Sequence, residues 1–330
     1  MLDRLQRPLR DLRLSLTDRC NFRCRYCMPI EVFGPGYEFL PRDEILNFDE
    51  LVRTVRAGVE LGVTKVRLTG GEPLLRRGVE DLVAMIAAVP GVEDLAMTTN
   101  GILLNHHAKG LAAAGLDRVT VSLDALDEET FAKMNGVGAK LDRVLLGIKS
   151  ARDAGLPVKV NMVVQRGVNE QEILPMIRWS HDAGVTLRFI EFMDVGETNG
   201  WDTRQVVTAR EILEIVSRLF PMEEVSPAYP GEVAKRWRFL DGAGEFGLIS
   251  SVSQPFCGDC SRLRVSAEGK AFTCLFASEG ADLRGCLRSV ESDEEVTEFI
   301  RGLWGKRKDR YSEERGEVDR PKAEMSYLGG

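Results

Sequence analysis

The chain lacks any apolar run approaching the roughly 20 residues that a membrane-spanning helix needs, and no such helix is expected. Residues 1–19 alternate charge and apolarity without an apolar centre, so no cleavable export signal is expected there. Positive charge is in deficit: 44 Lys and Arg stand against 51 Asp and Glu, a formal net charge of −7. That balance disfavours a general nucleic-acid surface but leaves room for a local basic pocket. Histidine is scarce. His106, His107 and His181 stand at no ligand spacing to carboxylate or cysteine and are expected on helix surfaces. No P-loop lysine and no dinucleotide G-x-G-x-x-G fingerprint accompanies the glycine pairs. There is no solenoid repeat and no low-complexity tract. The seven cysteines are odd in number, in a chain of 330 residues that is too long to need staples. They argue against a disulfide framework and for metal ligation in a reducing compartment, here the cytoplasm.

What is present starts at Cys20, Cys24 and Cys27, spaced C-x3-C-x2-C. Three thiolates this close can converge on one iron–sulfur cluster. Structural zinc prefers four ligands, often in paired C-x2-C units, and a local fourth is missing. A [4Fe–4S] cluster held by three cysteines keeps one iron open to a small molecule.

The rest of the chain repeats a strand–loop–helix unit. Residues 11–17 alternate, with Leu12, Leu14 and Leu16 on one side and Arg13 on the other, and run into the cysteine loop. A helix is expected at 43–61, then a strand at Lys65 to Thr69 leading into Gly70-Gly71-Glu72-Pro73. Further strands are expected at 92–98, 118–123, 157–164 and 186–190, with helices near 76–89, up to 114, 140–154 and 171–183. Six such units bury both faces of a parallel sheet, as a barrel or an open sheet. Polar residues gather after these strands, at Thr98 to Gly101 and Ser122 to Asp124 among them, with Met193 beside them. Past residue 195 the pattern changes to a Gly/Asp/Thr-rich link, a helix at 209–220 and a hairpin across Asp241-Gly242-Ala243-Gly244. Residues 1–10 read as an arm, and Lys306 to Arg310 as solvated surface.

Cys20, Cys24 and Cys27 at this spacing, followed one βα unit later by Gly-Gly-Glu-Pro, resemble the radical S-adenosylmethionine enzymes. The resemblance implies an α/β fold: a partial (β/α)6 TIM-like barrel over residues 1–209 with a smaller α+β C-terminal module over residues 210–330. It also implies that S-adenosylmethionine binds the open iron and is cleaved by one electron to a 5′-deoxyadenosyl radical.

A second set, Cys257, Cys260 and Cys274, is spaced C-x2-C-x13-C. Zinc is more plausible here, with Cys286 as a fourth ligand. Arg262 and Arg264, two apart on one strand face, suggest instead an anionic substrate beside a cluster. With this second set, with Leu12-Arg13-Leu14-Ser15-Leu16-Thr17-Asp18-Arg19-Cys20, and with the closing Ser326-Tyr327-Leu328-Gly329-Gly330, the chain resembles the GTP 3′,8-cyclases of molybdenum cofactor biosynthesis.

That resemblance implies two [4Fe–4S] clusters, the second on Cys257, Cys260 and Cys274, with Cys286 free and partly buried. It maps S-adenosylmethionine to Tyr26, Gly71, Asn100, Ser122 and Met193. It maps GTP to Arg13, Lys65, Arg67, Thr98, Lys159, Arg262, Leu263 and Arg264, with Arg13, Arg262 and Arg264 also supporting catalysis. The reaction implied is 3′-hydrogen abstraction from GTP and closure to (8S)-3′,8-cyclo-7,8-dihydroguanosine 5′-triphosphate. The implied partners are a low-potential electron donor of flavodoxin or ferredoxin type and a downstream cyclic pyranopterin monophosphate synthase. A homodimer stays open, and the Gly-Gly end is expected to reach the active site. The rivals are another two-cluster radical enzyme acting on a peptide or protein, and a non-catalytic metal-binding module.

Overall fold

The computed structural model describes residues 1–229, 231–316 and 321–329. The six expected strands are present as β1 (Asp11–Ser15), β2 (Lys65–Thr69), β3 (Asp94–Thr99), β4 (Arg118–Ser122), β5 (Val158–Val164) and β6 (Thr186–Glu191). They pair in parallel, each with its sequence neighbour. The helices between them are α1 (Phe48–Glu60), α2 (Val79–Ala87), α3 (Leu104–Ala113), α4 (Glu128–Asn135), α5 (Leu141–Asp153) and α6 (Ile173–Ala183). Local chemistry sets their limits. Asn47 and Glu50 form a capping box, so α1 starts at Phe48 and not near residue 43. Gly184 ends α6 in the left-handed conformation. Helix α4, capped by Asp127, is absent from the sequence expectation; it is short, and only Phe131, Met134 and Asn135 are buried.

The C-terminal segment adds α7 (Ala209–Ser217), β7 (Met222–Val225), β8 (Lys235–Phe239), β9 (Glu245–Ile249), β10 (Arg262–Val265), β11 (Lys270–Phe272), β12 (Ala281–Asp282), α8 (Leu283–Ser289), α9 (Asp293–Gly305) and α10 (Met325–Leu328). Its strands join the same sheet, at both ends. The order is β12-β11-β10-β1-β2-β3-β4-β5-β6-β9-β8-β7. β10 lies parallel to β1, and β9 parallel to β6. The parallel run therefore extends beyond the six strands read from the sequence. The hydrogen-bonded order is linear, so the barrel stays partial.

Alternation sorts the strand residues. Leu12, Leu14, Val66, Leu68, Val119, Val121, Val160, Leu187 and Phe189 are fully buried in the core. The opposite parity carries the polar residues, and register aligns them in rows. Arg262, Asp11, Lys65 and Asp94 form one row; Arg264, Arg13, Arg67, Ala96 and Arg118 form the next. Lys159 and Asn161 pair with Thr186 and Arg188.

Three surface expectations are corrected. Residues 1–10 are no free arm, because Arg7 is buried. Arg307 is buried within the otherwise polar run 306–310. His181 is half-buried, edge-on to Phe239 at 4.4 Å between ring centres. His106 is exposed, and His107 meets Glu80 at 2.6 Å. No helix of the described residues is long and apolar enough to cross a membrane.

Candidate active site

The first cysteine loop leaves β1 at its carboxyl end. Arg23 shapes it, donating to the carbonyls of Cys20 (2.8 Å), Phe22 (2.7 Å) and Phe33 (2.6 Å). Cys27 and Met28 both donate their amides to the Cys24 carbonyl, and buried Phe22 and Met28 anchor the loop to the interior. The glycine loop after β2 packs directly on it. A side chain at Gly71 would put its Cβ 2.3 Å from the Arg19 carbonyl oxygen. Glu72 is buried, and its carboxylate accepts from the Leu74 and Asn100 amides and the Thr99 hydroxyl. That places Asn100, whose Nδ2 donates to Asn21 Oδ1 at 2.7 Å and faces Cys20 Sγ at 3.9 Å. Tyr26 donates its hydroxyl to Asp124 at 2.8 Å, and Asp124 also accepts from the Val163 amide.

A cavity of about 400 Å³ opens against these loops. Tyr26, Ser122 and Met193 line it, and so do Cys257, Cys260 and Cys274. Of the basic set, Arg13, Lys65, Arg67, Lys159, Arg262 and Arg264 all reach it, and Thr98 does so beside Arg67. The parity of each strand makes this necessary, since their neighbours fill the core. Leu263 differs: its side chain is buried in the core, and it is not part of the cavity lining. Gly71, Asn100, Cys20, Cys24 and Cys27 form the adjoining loops and not the wall itself. Gly329 donates no side chain, but its carbonyl accepts from Arg264 Nη1 at 3.1 Å. Gly330 lies outside the described residues.

Several cavity residues were not foreseen. Arg188 and Arg118 add cations, while Asp11 and Asp94 add carboxylates. Asp94 pairs with Arg118 at 2.8 Å and Lys65 at 3.1 Å. The signal for Arg188 was available, because it stands between Leu187 and Phe189 as Arg13 does between Leu12 and Leu14.

The electrostatics are those of an anion site. Arg13 Nε and Arg67 Nε are buried without a hydrogen-bond partner. Burial, with Arg13 next to it, drives the Arg67 pKa down to about 9. Burial, with Arg188 and Arg118 close by, drives Lys159 down to about 8. Asp11 offsets part of the cost of burial at Arg13, 3.6 Å from its Nε; buried cations that exceed their carboxylate partners remain costly, and an anionic ligand removes that cost.

The seven cysteines are free. Burial pushes the Cys20 thiol up to about 11 and raises Cys24 and Cys27 as well. Cys260 is also raised by burial, but Arg262 and Arg307 outweigh it and pull it down to about 6. Among the described residues no three Cys, His, Asp or Glu side chains gather tightly enough for one metal ion. Three free thiols on a loop suit a wider group that takes sulfur ligands from spaced positions, as an iron–sulfur cluster does. Cys20, Cys24 and Cys27 fit that description; Cys257 and Cys260, before β10, and Cys274, after β11, reach one cavity from two loops and suit the same kind of group. Cys286 lies on α8, outside the cavity lining, against the core.

The radical SAM superfamily model matches residues 14–180, and the molybdenum cofactor synthesis C model matches residues 185–313. The chain is 50% identical to a GTP 3′,8-cyclase of Acidothermus cellulolyticus, over 99% of this chain and 98% of the relative. It belongs to the GTP 3′,8-cyclase family. A GTP 3′,8-cyclase of Staphylococcus haemolyticus is 49% identical over the same shares of both chains. Among solved structures, Streptococcus suis SuiB bound to S-adenosylmethionine aligns with a TM-score of 0.61 at 16% identity, covering 81% of this chain and 60% of that one. Methylornithine synthase (PylB) aligns with a TM-score of 0.51 at 17% identity, covering 64% of this chain and 62% of that one. Both share the partial-barrel fold.

Proposed function

We infer that the chain is a GTP 3′,8-cyclase, yielding (8S)-3′,8-cyclo-7,8-dihydroguanosine 5′-triphosphate for molybdenum cofactor biosynthesis. The observation that carries this reading is the excess of inward cations, Arg13 and Arg67 with buried Nε donors that lack hydrogen-bond partners among them, in a cavity lined by Cys257, Cys260 and Cys274 and adjoining the loop of Cys20, Cys24 and Cys27. Cys20, Cys24 and Cys27 would hold one [4Fe–4S] cluster, and Cys257, Cys260 and Cys274 another. The chemistry supplied by the first, with S-adenosylmethionine bound, is a radical able to take the 3′ hydrogen of GTP.

The protein's own part is binding, orientation and exclusion of water. Arg13, Arg262 and Arg264 meet the triphosphate as planar forks, and Lys65, Arg67 and Lys159 add charge from the neighbouring strands. Thr98 is a further contact to GTP. Tyr26, Gly71, Asn100, Ser122 and Met193 shape the S-adenosylmethionine pocket. The lining excludes water from a reactive intermediate. A peptide substrate would leave the basic rows without a purpose. The working protein would sit in the cytoplasm and take electrons from a flavodoxin- or ferredoxin-type donor. It would pass its product to a cyclic pyranopterin monophosphate synthase, and a homodimer is compatible with it.

The test is anaerobic turnover with GTP, S-adenosylmethionine and a chemical reductant. The expected result is about eight irons per chain, as two [4Fe–4S] clusters require, with 5′-deoxyadenosine and cyclised nucleotide formed together. Cys24→Ala should lose half the iron and all cleavage. Stoichiometric zinc, or 5′-deoxyadenosine formation indifferent to GTP, would refute the reading.

A further inference from the structure

The Asp3–Arg7 turn and Arg307 come together behind the second cysteine set, 304 residues apart in the chain for Asp3 and Arg307. Asp3 Oδ2 accepts from Arg7 Nε at 2.6 Å and from Arg307 Nη1 at 3.2 Å. Asp3 Oδ1 accepts from the Leu5 and Arg7 amides. Each guanidinium then reaches a cysteine-bearing loop. Arg7 Nη1 donates to the Cys257 carbonyl at 2.8 Å. Arg307 donates to the Cys260 carbonyl at 2.6 Å and to the Thr273 carbonyl, next to Cys274, at 3.0 Å. The three side chains are at most 2% exposed. Arg7 and Arg307 also line the cavity, and Arg7 Nη2 is buried with no protein acceptor.

Two features show that the chain bears a cost to keep this arrangement. Gln6, inside the turn, is the only non-glycine among the described residues with positive φ, at 62°. Such strain persists only where the surroundings impose it, and it gathers at functional sites. Buried ion pairs also rarely add net stability, since desolvation offsets their attraction. Trp304, fully buried, closes the network from below: its ring lies 4.4 Å from the Arg307 guanidinium carbon, and its Nε1 donates to the Arg7 carbonyl. Asp309, partly exposed, joins the network: its carboxylate lies 3.9 Å from Arg307 and its carbonyl accepts from Arg7 Nη1 at 2.8 Å.

We propose that Asp3, Arg7 and Arg307 form a clamp that holds together the two loops carrying Cys257, Cys260 and Cys274 and, through the two guanidinium charges, sets the reduction potential of the cluster they hold. The inference rests on the two-cluster reading above. Cluster potentials follow local charge and the hydrogen bonds around the ligands. A cation beside an anionic cluster favours the reduced form, and a carboxylate opposes it. The three residues act through the loops and are positioning residues, not catalytic ones.

The experiment is an EPR-monitored redox titration of the reconstituted holoenzyme, with iron counted in every sample. Arg307→Gln should shift the GTP-responsive cluster to a more negative potential and leave the S-adenosylmethionine-responsive cluster where it was. Arg307→Lys, which keeps the charge, should restore most of the shift. Asp3→Asn should move the same cluster the opposite way. Loss of the second cluster alone in Arg307→Gln, with S-adenosylmethionine cleavage intact, also supports the clamp. Two full clusters with unmoved potentials in both Arg307→Gln and Asp3→Asn would overturn it. A wild-type protein with one cluster would overturn the two-cluster reading itself, and the clamp with it.

Discussion

Lys159 carries its charge against the cost of burial, and that gives the site a pH dependence of its own. Its folded pKa is lowered to about 8 by burial first, then by Arg188 and Arg118. The sign follows from linkage. A lowered pKa means that its contribution to stability is complete only above the unfolded value of 10.5 and is lost as pH falls through about 8. At neutral pH the empty site therefore keeps Lys159 charged, at a cost in stability that burial imposes. A triphosphate reverses this by favouring the charged form. GTP binding should take up protons just above pH 8, and affinity should fall as pH rises through that value. Calorimetry in two buffers of different ionisation enthalpy measures the uptake, and Lys159→Met should remove most of it near pH 8, leaving the smaller share of Arg67, whose pKa is lowered to about 9. Arg262 is the contrasting case, since Cys260 and Asp11 hold its charge in place against burial. Arg262→Ala should weaken GTP binding by about 1.5–3 kcal/mol, the usual loss for a charge-assisted contact, and leave S-adenosylmethionine binding nearly untouched. Equal GTP affinity in the variant would remove Arg262 from the site.

At the scale of elements, the loops after β1 and β2 behave as one unit. Gly71 donates its amide to the Thr17 carbonyl at 2.7 Å, and Glu72 donates to Arg19 at 2.8 Å. Gly71→Ala would press a methyl into the Arg19 backbone, one residue before Cys20. Such overpacking costs about 1–3 kcal/mol. The expected outcome is a lower melting temperature and poor loading of the first cluster, with the second cluster kept; iron content and circular dichroism read both. The βα repeat and the cysteine loops were legible in the sequence because their signals are local: alternation, glycines at strand ends, and close thiol spacing. The inward Arg13, Lys65 and Arg67 were legible for the same reason. Helix α4 and the joining of β9 and β10 to the parallel sheet were not. Strand pairing between residues such as Arg13 and Arg264 is set by the whole sheet, and no local pattern announces it. Arg7, expected in an arm, and Arg307, expected on solvated surface, are buried because of their common partner, Asp3, which no local pattern announces.

At the scale of the molecule, the first ten residues and the last described ones both return to the sheet near β1 and β10. The last helix, α10, is anchored by Leu328, which is fully buried, and by Tyr327, which donates to Glu268 and meets Phe272 edge-on at 5.9 Å. Gly329 then lies where a Cβ would stand 2.1 Å from Thr69 Oγ1 and 3.2 Å from Ser15 Cβ, so no larger residue fits between β1 and β2. Its φ of 66° adds a second reason for glycine. Its carbonyl is the hydrogen-bond acceptor of the Arg264 guanidinium among the described residues. Deleting Gly329 and Gly330 takes away that acceptor but none of the apolar anchor. The fold and both clusters should survive, with iron content and melting temperature close to those of the full chain. Arg264 would lose the contact that fixes its direction, and GTP would be held less exactly against the radical source. S-adenosylmethionine cleavage should therefore continue while cyclised product per 5′-deoxyadenosine falls severalfold. Gly329→Ala should produce the same uncoupling, since the methyl cannot enter while the tail keeps its place. An unchanged product ratio in both variants would show that Arg264 needs no help from the tail, and that the packing of Gly329 between the strands serves stability alone.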